Sequence, residues 1–120
     1  MVKLVVFYEK PYCVANAKQK QILRQSGCTL IERNLLDHGL DRDMLRSFMG
    51  EYPVSEWFNP AAPMIKNALI DPKQLSELEA IEMLMADPIL IRRPLMIIGS
   101  EKLCGFDVDK VSEMLERYVE

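Results

Sequence analysis

From Lys3 to Tyr8 the chain is apolar at nearly every position, with Leu4, Val5, Val6, Phe7 and Tyr8 in succession. A continuous run that short, rich in Val and aromatic residues, predicts a strand buried on both faces of a sheet. It stops at Glu9-Lys10-Pro11-Tyr12. Between Cys13 and Ser26 there is no Gly or Pro, good helix formers abound (Ala15, Ala17, Lys18, Gln19, Lys20, Leu23, Arg24), and Gly27 stands where a left-handed cap is wanted. Thr29 to Asn34 then alternates Leu30, Glu32 and Asn34 with Thr29, Ile31 and Arg33, the pattern of a second strand. Strand, helix and strand within about 32 residues make a βαβ unit, so the two strands are expected to run parallel with a right-handed crossover.

The middle of the chain changes period. Asp41 is placed to cap a helix with Met44, Leu45, Phe48 and Met49 on one face and Gly50 as its stop. Ser55 to Asn59 predicts a short helical turn, and Pro60 is expected to open another running through Ile65. Asp71-Pro72 supplies a cap and a first-position proline for a helix reaching about Ala86, with Leu75, Leu78, Ile81 and Met85 as its apolar stripe and Pro88 as its end. Sheet returns in the last third: Pro94 to Ile98 is apolar, Gly99-Ser100 is a turn, and Lys102 to Phe106 is expected to come back as a hairpin partner. Asp107 or Asp109 caps a closing helix carrying Val108, Val111, Met114, Leu115 and Tyr118. The order βαβ, helical insertion (about 40–90), ββα predicts an α/β, thioredoxin-like domain over 1–120, with a four-stranded mixed sheet covered by helices.

Composition narrows the function. A length of 120 residues, 49% hydrophobic and 28% charged, fits one globular domain. Eighteen acidic against fifteen basic residues, a net charge of -3, argues against nucleic-acid binding, which needs cations for the phosphate backbone. The longest apolar runs fall far short of the roughly 20 residues of a membrane span. The five apolar residues after Lys3 are also too few for a secretory signal. Three cysteines, an odd number, are expected to be reduced thiols in the cytoplasm, and a single His gives no basis for a metal site.

Cys13 is the chief candidate for chemistry because it follows the first strand and opens the first helix. Unpaired N–H groups and the positive end of the helix dipole stabilise a thiolate there, and such placement takes a cysteine from a pKa of about 8.5 to between 3.5 and 7.5. A small residue capping a helix without chemistry is the alternative reading. Asn16 stands three residues on, where a second redox cysteine would be, so a reaction at Cys13 needs an external thiol such as glutathione. Cys28 and Cys104 read as small buried side chains, with a resolving role left open. Lys10 is placed to add positive charge. Arg92-Arg93-Pro94 offers a candidate cis proline and a planar fork of donors for a carboxylate or oxyanion. Trp57-Phe58 and the eight methionines read as core, and His38, in a polar turn, as solvated.

Cys13, the block Asp87-Pro88-Ile89-Leu90-Ile91-Arg92-Arg93-Pro94-Leu95 about eighty residues later, and Leu103-Cys104 together resemble the ArsC/Spx family of thioredoxin-fold proteins. Phe7-Tyr8-Glu9-Lys10-Pro11, Asn16-Ala17-Lys18-Gln19-Lys20, Val54-Ser55-Glu56-Trp57-Phe58-Asn59 and Gly105-Phe106-Asp107 resemble its nitrogenase-associated subgroup. The resemblance implies arsenate reductase-like chemistry, in which a cysteine attacks arsenate, three arginines bind the oxyanion, and glutathione and glutaredoxin take the electrons. The cysteine corresponds to Cys13 and one arginine to Arg93. The second arginine falls at or near Asn59, the third is replaced by Gly105, and the Gly-Thr-Ser-Arg that follows the cysteine in the family is Val14-Ala15-Asn16-Ala17 here.

Charge-assisted hydrogen bonds contribute roughly 1.5–3 kcal/mol each, so losing two arginines weakens an oxyanion site by about 3–6 kcal/mol. The expectation is a glutathione-linked monothiol oxidoreductase with Cys13 and Arg93 as catalytic residues and weak or no arsenate reduction. Lys10, Asn16, Asn59, Arg92 and Pro94 are expected around the substrate or glutathione, with no bound cofactor. Glutathione or glutaredoxin is the expected partner. A non-catalytic regulatory or binding module for a nitrogenase-related protein is the alternative, in the manner of the Spx branch, which binds RNA polymerase. True arsenate reduction is the third reading.

Overall fold

In the computed structural model, which describes residues 3–37 and 39–117, the central strand β1 (Lys3–Glu9) sorts its side chains between two layers. Val5 and Phe7 enter one apolar cluster with Leu23, Met96, Ile98, Leu103, Val111 and Leu115; Val6 and Tyr8 meet the other, with Phe48, Trp57, Leu84 and Leu95. This is the period-two alternation of a strand covered on both faces. The burial is not uniform, because Leu4 is 51% exposed at the strand's start.

Helix α1 (Val14–Gln25) carries the chain to β2 (Cys28–Asn34), which pairs parallel to β1 from Lys3 opposite Cys28 to Glu9 opposite Asn34. Lys20 on α1 bridges Glu9 (2.8 Å) and Glu32 (2.9 Å), and its hydrogen bond holds the Glu32 carboxyl below its usual range. β3 (Leu95–Ile98) lies antiparallel on the other side of β1, and β4 (Glu101–Cys104) returns beside it, giving the order β2-β1-β3-β4. Gly99 (φ 62°) makes the connecting turn. α5 (Val108–Arg117) starts with Asp107 accepting the Lys110 N–H at 3.1 Å and packs Val111, Met114 and Leu115 onto the sheet. Val108 is exposed instead, and Tyr118 and His38 lie outside the described residues.

The regular elements of the insertion are short helices, as the sequence pattern predicts, with an isolated antiparallel bridge between Phe58 and Ile91. α2 (Arg42–Met49) is capped by Asp41, which accepts the Met44 N–H at 2.7 Å, and ends at Gly50 (φ 51°). A 3-10 turn over Val54–Trp57 places the single tryptophan in the core. Trp57 is 1% exposed, its indole N–H donates to the Tyr52 carbonyl at 2.8 Å, and the Arg46 guanidinium lies 5.1 Å from its ring centre.

Several boundaries differ from the sequence reading. α3 (Pro63–Lys66) begins at Pro63 rather than Pro60, because Asn59, Pro60 and Ala61 form a turn closed by the Asn59 side chain on the Ala61 N–H (3.0 Å). The helix expected from Pro72 is divided into a 3-10 turn over Pro72–Gln74 and α4 (Glu77–Ala86), since Ser76 and Glu79 form a reciprocal capping box that starts the helix afresh. That start sets the buried face as Ala80, Ile81 and Leu84 and leaves Leu78 73% exposed. At the hairpin, strand pairing covers Leu95–Ile98 and Glu101–Cys104, without Pro94, Gly105 or Phe106. The ion pairs Arg42–Glu82 and Arg46–Glu77 join α2 to α4 across an exposed surface, where such pairs add little stability.

Leu95, fully buried between the layers, is expected to cost about 2–5 kcal/mol on Leu95→Ala, against less than about 1 kcal/mol for Leu4→Ala on the same sheet. Urea denaturation of the two variants checks the difference.

Candidate active site

The sheet register builds this region. Tyr8 of β1 lies opposite Leu95 of β3, so the loop leaving β1 toward Cys13 runs beside Arg92, Arg93 and Pro94 as they enter β3. The Arg93–Pro94 bond is cis, as the Arg-Arg-Pro sequence suggests. Cys13 is the N-cap of α1 with an extended backbone (φ -79°, ψ 118°). Its side chain makes no capping hydrogen bond, so the sulfur is not committed to the helix it opens. Tyr12 precedes it in a left-handed conformation (φ 65°) and is fully exposed, and Val14 after it is 71% exposed.

Asn16 holds this loop in place. It is 1% exposed, a buried polar side chain in α1's first turn. Its Oδ1 accepts the Lys10 N–H at 3.2 Å and its Nδ2 donates to Gln19 Oε1 at 2.9 Å. The Cys13 N–H donates back to the Lys10 carbonyl at 3.2 Å. Leaving a buried donor unpaired is costly, so this clamp keeps the turn between β1 and α1 closed.

Cys13, Asn16, Asn59, Arg92 and Arg93 come together around one open cavity of about 400 Å³, joined by Ala15, Gln19, Pro60, Ala61 and Phe106. That volume lies in the range of small-molecule sites. The lining includes two arginines and no carboxylate. Arg93 is half-buried, and its Nε and Nη1 are buried atoms with no hydrogen-bond partner. Arg93 lines the cavity and has donor nitrogens not spent on the described protein groups, and such a guanidinium suits a carboxylate or oxyanion.

The remaining candidate residues sit differently. Lys10 does not line the cavity; its contribution here is its backbone, through the bonds to Cys13 and Asn16. Pro94 is buried beneath the site, and its carbonyl accepts the Gly105 N–H at 2.8 Å. Asn16 lines the cavity with its amide engaged at both ends, which makes it a positioning group. Arg92 lines the same space as Arg93, so the two arginines expected around the cysteine share one cavity with it. Cys28 and Cys104 are buried. Burial pushes both thiols up, Cys104 to about 12, and the Cys104 sulfur lies 3.6 Å from the Arg92 carbonyl. Among the described residues no three His, Cys, Asp or Glu side chains gather as a metal site, and no helix is long and apolar enough to cross a membrane.

A family model described as "ArsC family" matches residues 8–114. An uncharacterized 15.7 kDa protein encoded in the draG 3' region of Rhodospirillum rubrum is 42% identical over 103 residues, spanning 86% of this chain and 72% of that protein. The global transcriptional regulator Spx 2 of Bacillus anthracis is 24% identical over 118 residues, 97% of this chain and 90% of the regulator. Among solved structures, an arsenate reductase from Vibrio cholerae superposes with a TM-score of 0.77 at 20% identity, covering 95% of this chain and 99% of that one.

Two outcomes test this geometry. Iodoacetamide at neutral pH is expected to label Cys13 in the folded protein and to reach Cys28 and Cys104 only after unfolding, as read by peptide mass spectrometry. Asn16→Ala is expected to cost about 1–3 kcal/mol in urea denaturation, because the Lys10 N–H loses its partner.

Proposed function

The chain belongs to the ArsC family, and on that premise we propose that it is a glutathione-linked monothiol oxidoreductase acting through Cys13. The observation that carries this reading is the cavity lined by both Cys13 and Arg93, a guanidinium whose Nε and Nη1 have no hydrogen-bond partner among the described residues. A cysteine nucleophile and a guanidinium lining one cavity suit a negatively charged thiol or disulfide.

In the proposed reaction the Cys13 thiolate attacks the glutathione sulfur of a mixed disulfide. The sulfur–sulfur bond to the substrate breaks, the substrate leaves as a thiolate and takes a proton from solvent, and Cys13 is left joined to glutathione. A second glutathione thiolate then attacks the glutathione sulfur of that adduct and releases Cys13 with glutathione disulfide. The net change turns one mixed disulfide and one glutathione thiol into the substrate thiol and glutathione disulfide, so one glutathione thiol is consumed per turnover. No second cysteine is required, which fits Asn16 in the position of a resolving thiol and Cys28 and Cys104 in the core. Arg93 anchors a glutathione carboxylate, and Cys13 presents its sulfur from the N-cap of α1. Arsenate reduction stays weak because Gly105 and Asn59 stand at two of the positions where the family has arginines.

The exposure of Tyr12 and Val14 on either side of Cys13 favours a second reading, a binding module for a protein partner. The segments shared with the nitrogenase-associated subgroup, Phe7 to Pro11 among them, make a nitrogen-fixation protein the partner to test.

Glutathione disulfide is expected to add one glutathione to the wild-type protein and none to Cys13→Ser, by intact mass. Arg93→Gln is expected to slow the addition roughly tenfold or more. An adduct persisting in Cys13→Ser overturns the thiol reading. In a deletion strain of a nitrogen-fixing host, full rescue by Cys13→Ser assigns the binding role instead. An arsenate assay coupled to glutathione and glutaredoxin is expected to give background turnover.

A further inference from the structure

Gly105 follows β4 with φ 82°, and its N–H is tied to the Pro94 carbonyl. A Cβ at this position would stand 2.6 Å from Arg92 Nε, 3.1 Å from its Cζ and 3.3 Å from its Cδ. The first distance is closer than real Cβ atoms approach a neighbour, so Arg92 occupies space that only glycine leaves open. The space over Gly105 is therefore crossed by a guanidinium from another segment.

Arg92 is held there from several directions. Its N–H donates to the Trp57 carbonyl at 3.0 Å, its carbonyl faces the Cys104 thiol at 3.6 Å, and its Nη1 donates to the Glu56 carbonyl at 3.4 Å. The first two contacts fix the backbone, the third ties one guanidinium nitrogen to the Glu56 carbonyl, and the side chain lines the cavity with Arg93 and Cys13. Among the described residues no carboxylate lines the cavity to neutralise either arginine.

We infer that Gly105 recruits Arg92 as a second anion-binding guanidinium of the Cys13 cavity. The two arginines form a cradle for a group bearing two or more anionic oxygens. Such oxygens come either from a free oxyanion or from the carboxylates of a peptide thiol such as glutathione. The inference rests on the proposed function only for the sulfur chemistry at Cys13; the cation pair itself stands without it.

The test uses the full chain carrying Cys13→Ser, so that no thiol reaction intervenes. Arginine Nε–Hε resonances are followed by NMR during titration with inorganic sulfate in one arm and S-methylglutathione in the other, at constant ionic strength. In at least one arm the Arg92 and Arg93 signals are expected to move together with a single Kd, and the arm with the lower Kd tells oxyanion from peptide carboxylate. Arg92→Gln is expected to weaken that ligand threefold or more, and Gly105→Ala, which displaces Arg92, to act in the same direction. If Gly105→Ala fails to fold, Arg92→Gln carries the test, since it removes the cation without touching the backbone at 105. The inference is overturned if neither ligand moves the Arg92 signal, if only Arg93 responds, or if Arg92→Gln changes Kd by less than threefold. A wild-type protein that forms no glutathione adduct would count against the thiol reaction alone and leave this result standing.

Discussion

A strand whose side chains alternate between two apolar faces needs a layer on each side, and β1 imposes that requirement on the whole chain. Val5 and Phe7 are satisfied by α1 and α5, Val6 and Tyr8 by the helical insertion. Once β1 is central, its two neighbours are set by the connections available: β2 through a right-handed crossover, β3 through the long insertion. The register that pairs Tyr8 with Leu95 then brings the end of β1 and the start of β3 to the same edge. The cysteine and the arginines meet as a result of how the core closes.

Much of this was legible in the sequence, for local reasons. A continuous apolar run marked β1, a stretch of helix formers without Gly or Pro marked α1, Gly27 and Gly50 marked helix ends, and Asp41 capped α2 as its position predicts. The Arg-Arg-Pro sequence pointed to the cis bond. What was hidden involved competition between neighbouring signals. Pro60 looked like a helix start, but the Asn59 side chain closed a turn there; Asp71-Pro72 looked like a long helix, but the Ser76–Glu79 box began a new one. Leu78 fitted an apolar stripe only while the helix was assumed to begin at Pro72.

At the site, the position of Cys13 at a helix start was readable from residue order alone, whereas the arrangement of positive charge was not. The Arg-Arg-Pro sequence marks both Arg92 and Arg93 as candidates without saying how their guanidiniums are seated. The cavity has both, because a missing side chain at 105 creates room for another residue's side chain, and no spacing rule reports that. Asn16 shows the same limit. Its place three residues after the cysteine marks it as important, but its use as a clamp on the Lys10 N–H depends on a loop conformation the sequence does not state. In a chain with net charge -3, two unneutralised guanidiniums in one cavity are a local property that composition averages away.

Trp57 gives the protein a built-in optical reporter. It is the single tryptophan, sealed from solvent, with a guanidinium over its ring and its own carbonyl bonded to the Arg92 N–H. Its emission is therefore free of contributions from other indoles and originates one hydrogen bond from the cationic side of the cavity. Changes in the packing of the insertion or the seating of Arg92 alter the field around one chromophore, so events at this cavity can be timed by stopped-flow fluorescence with no added dye.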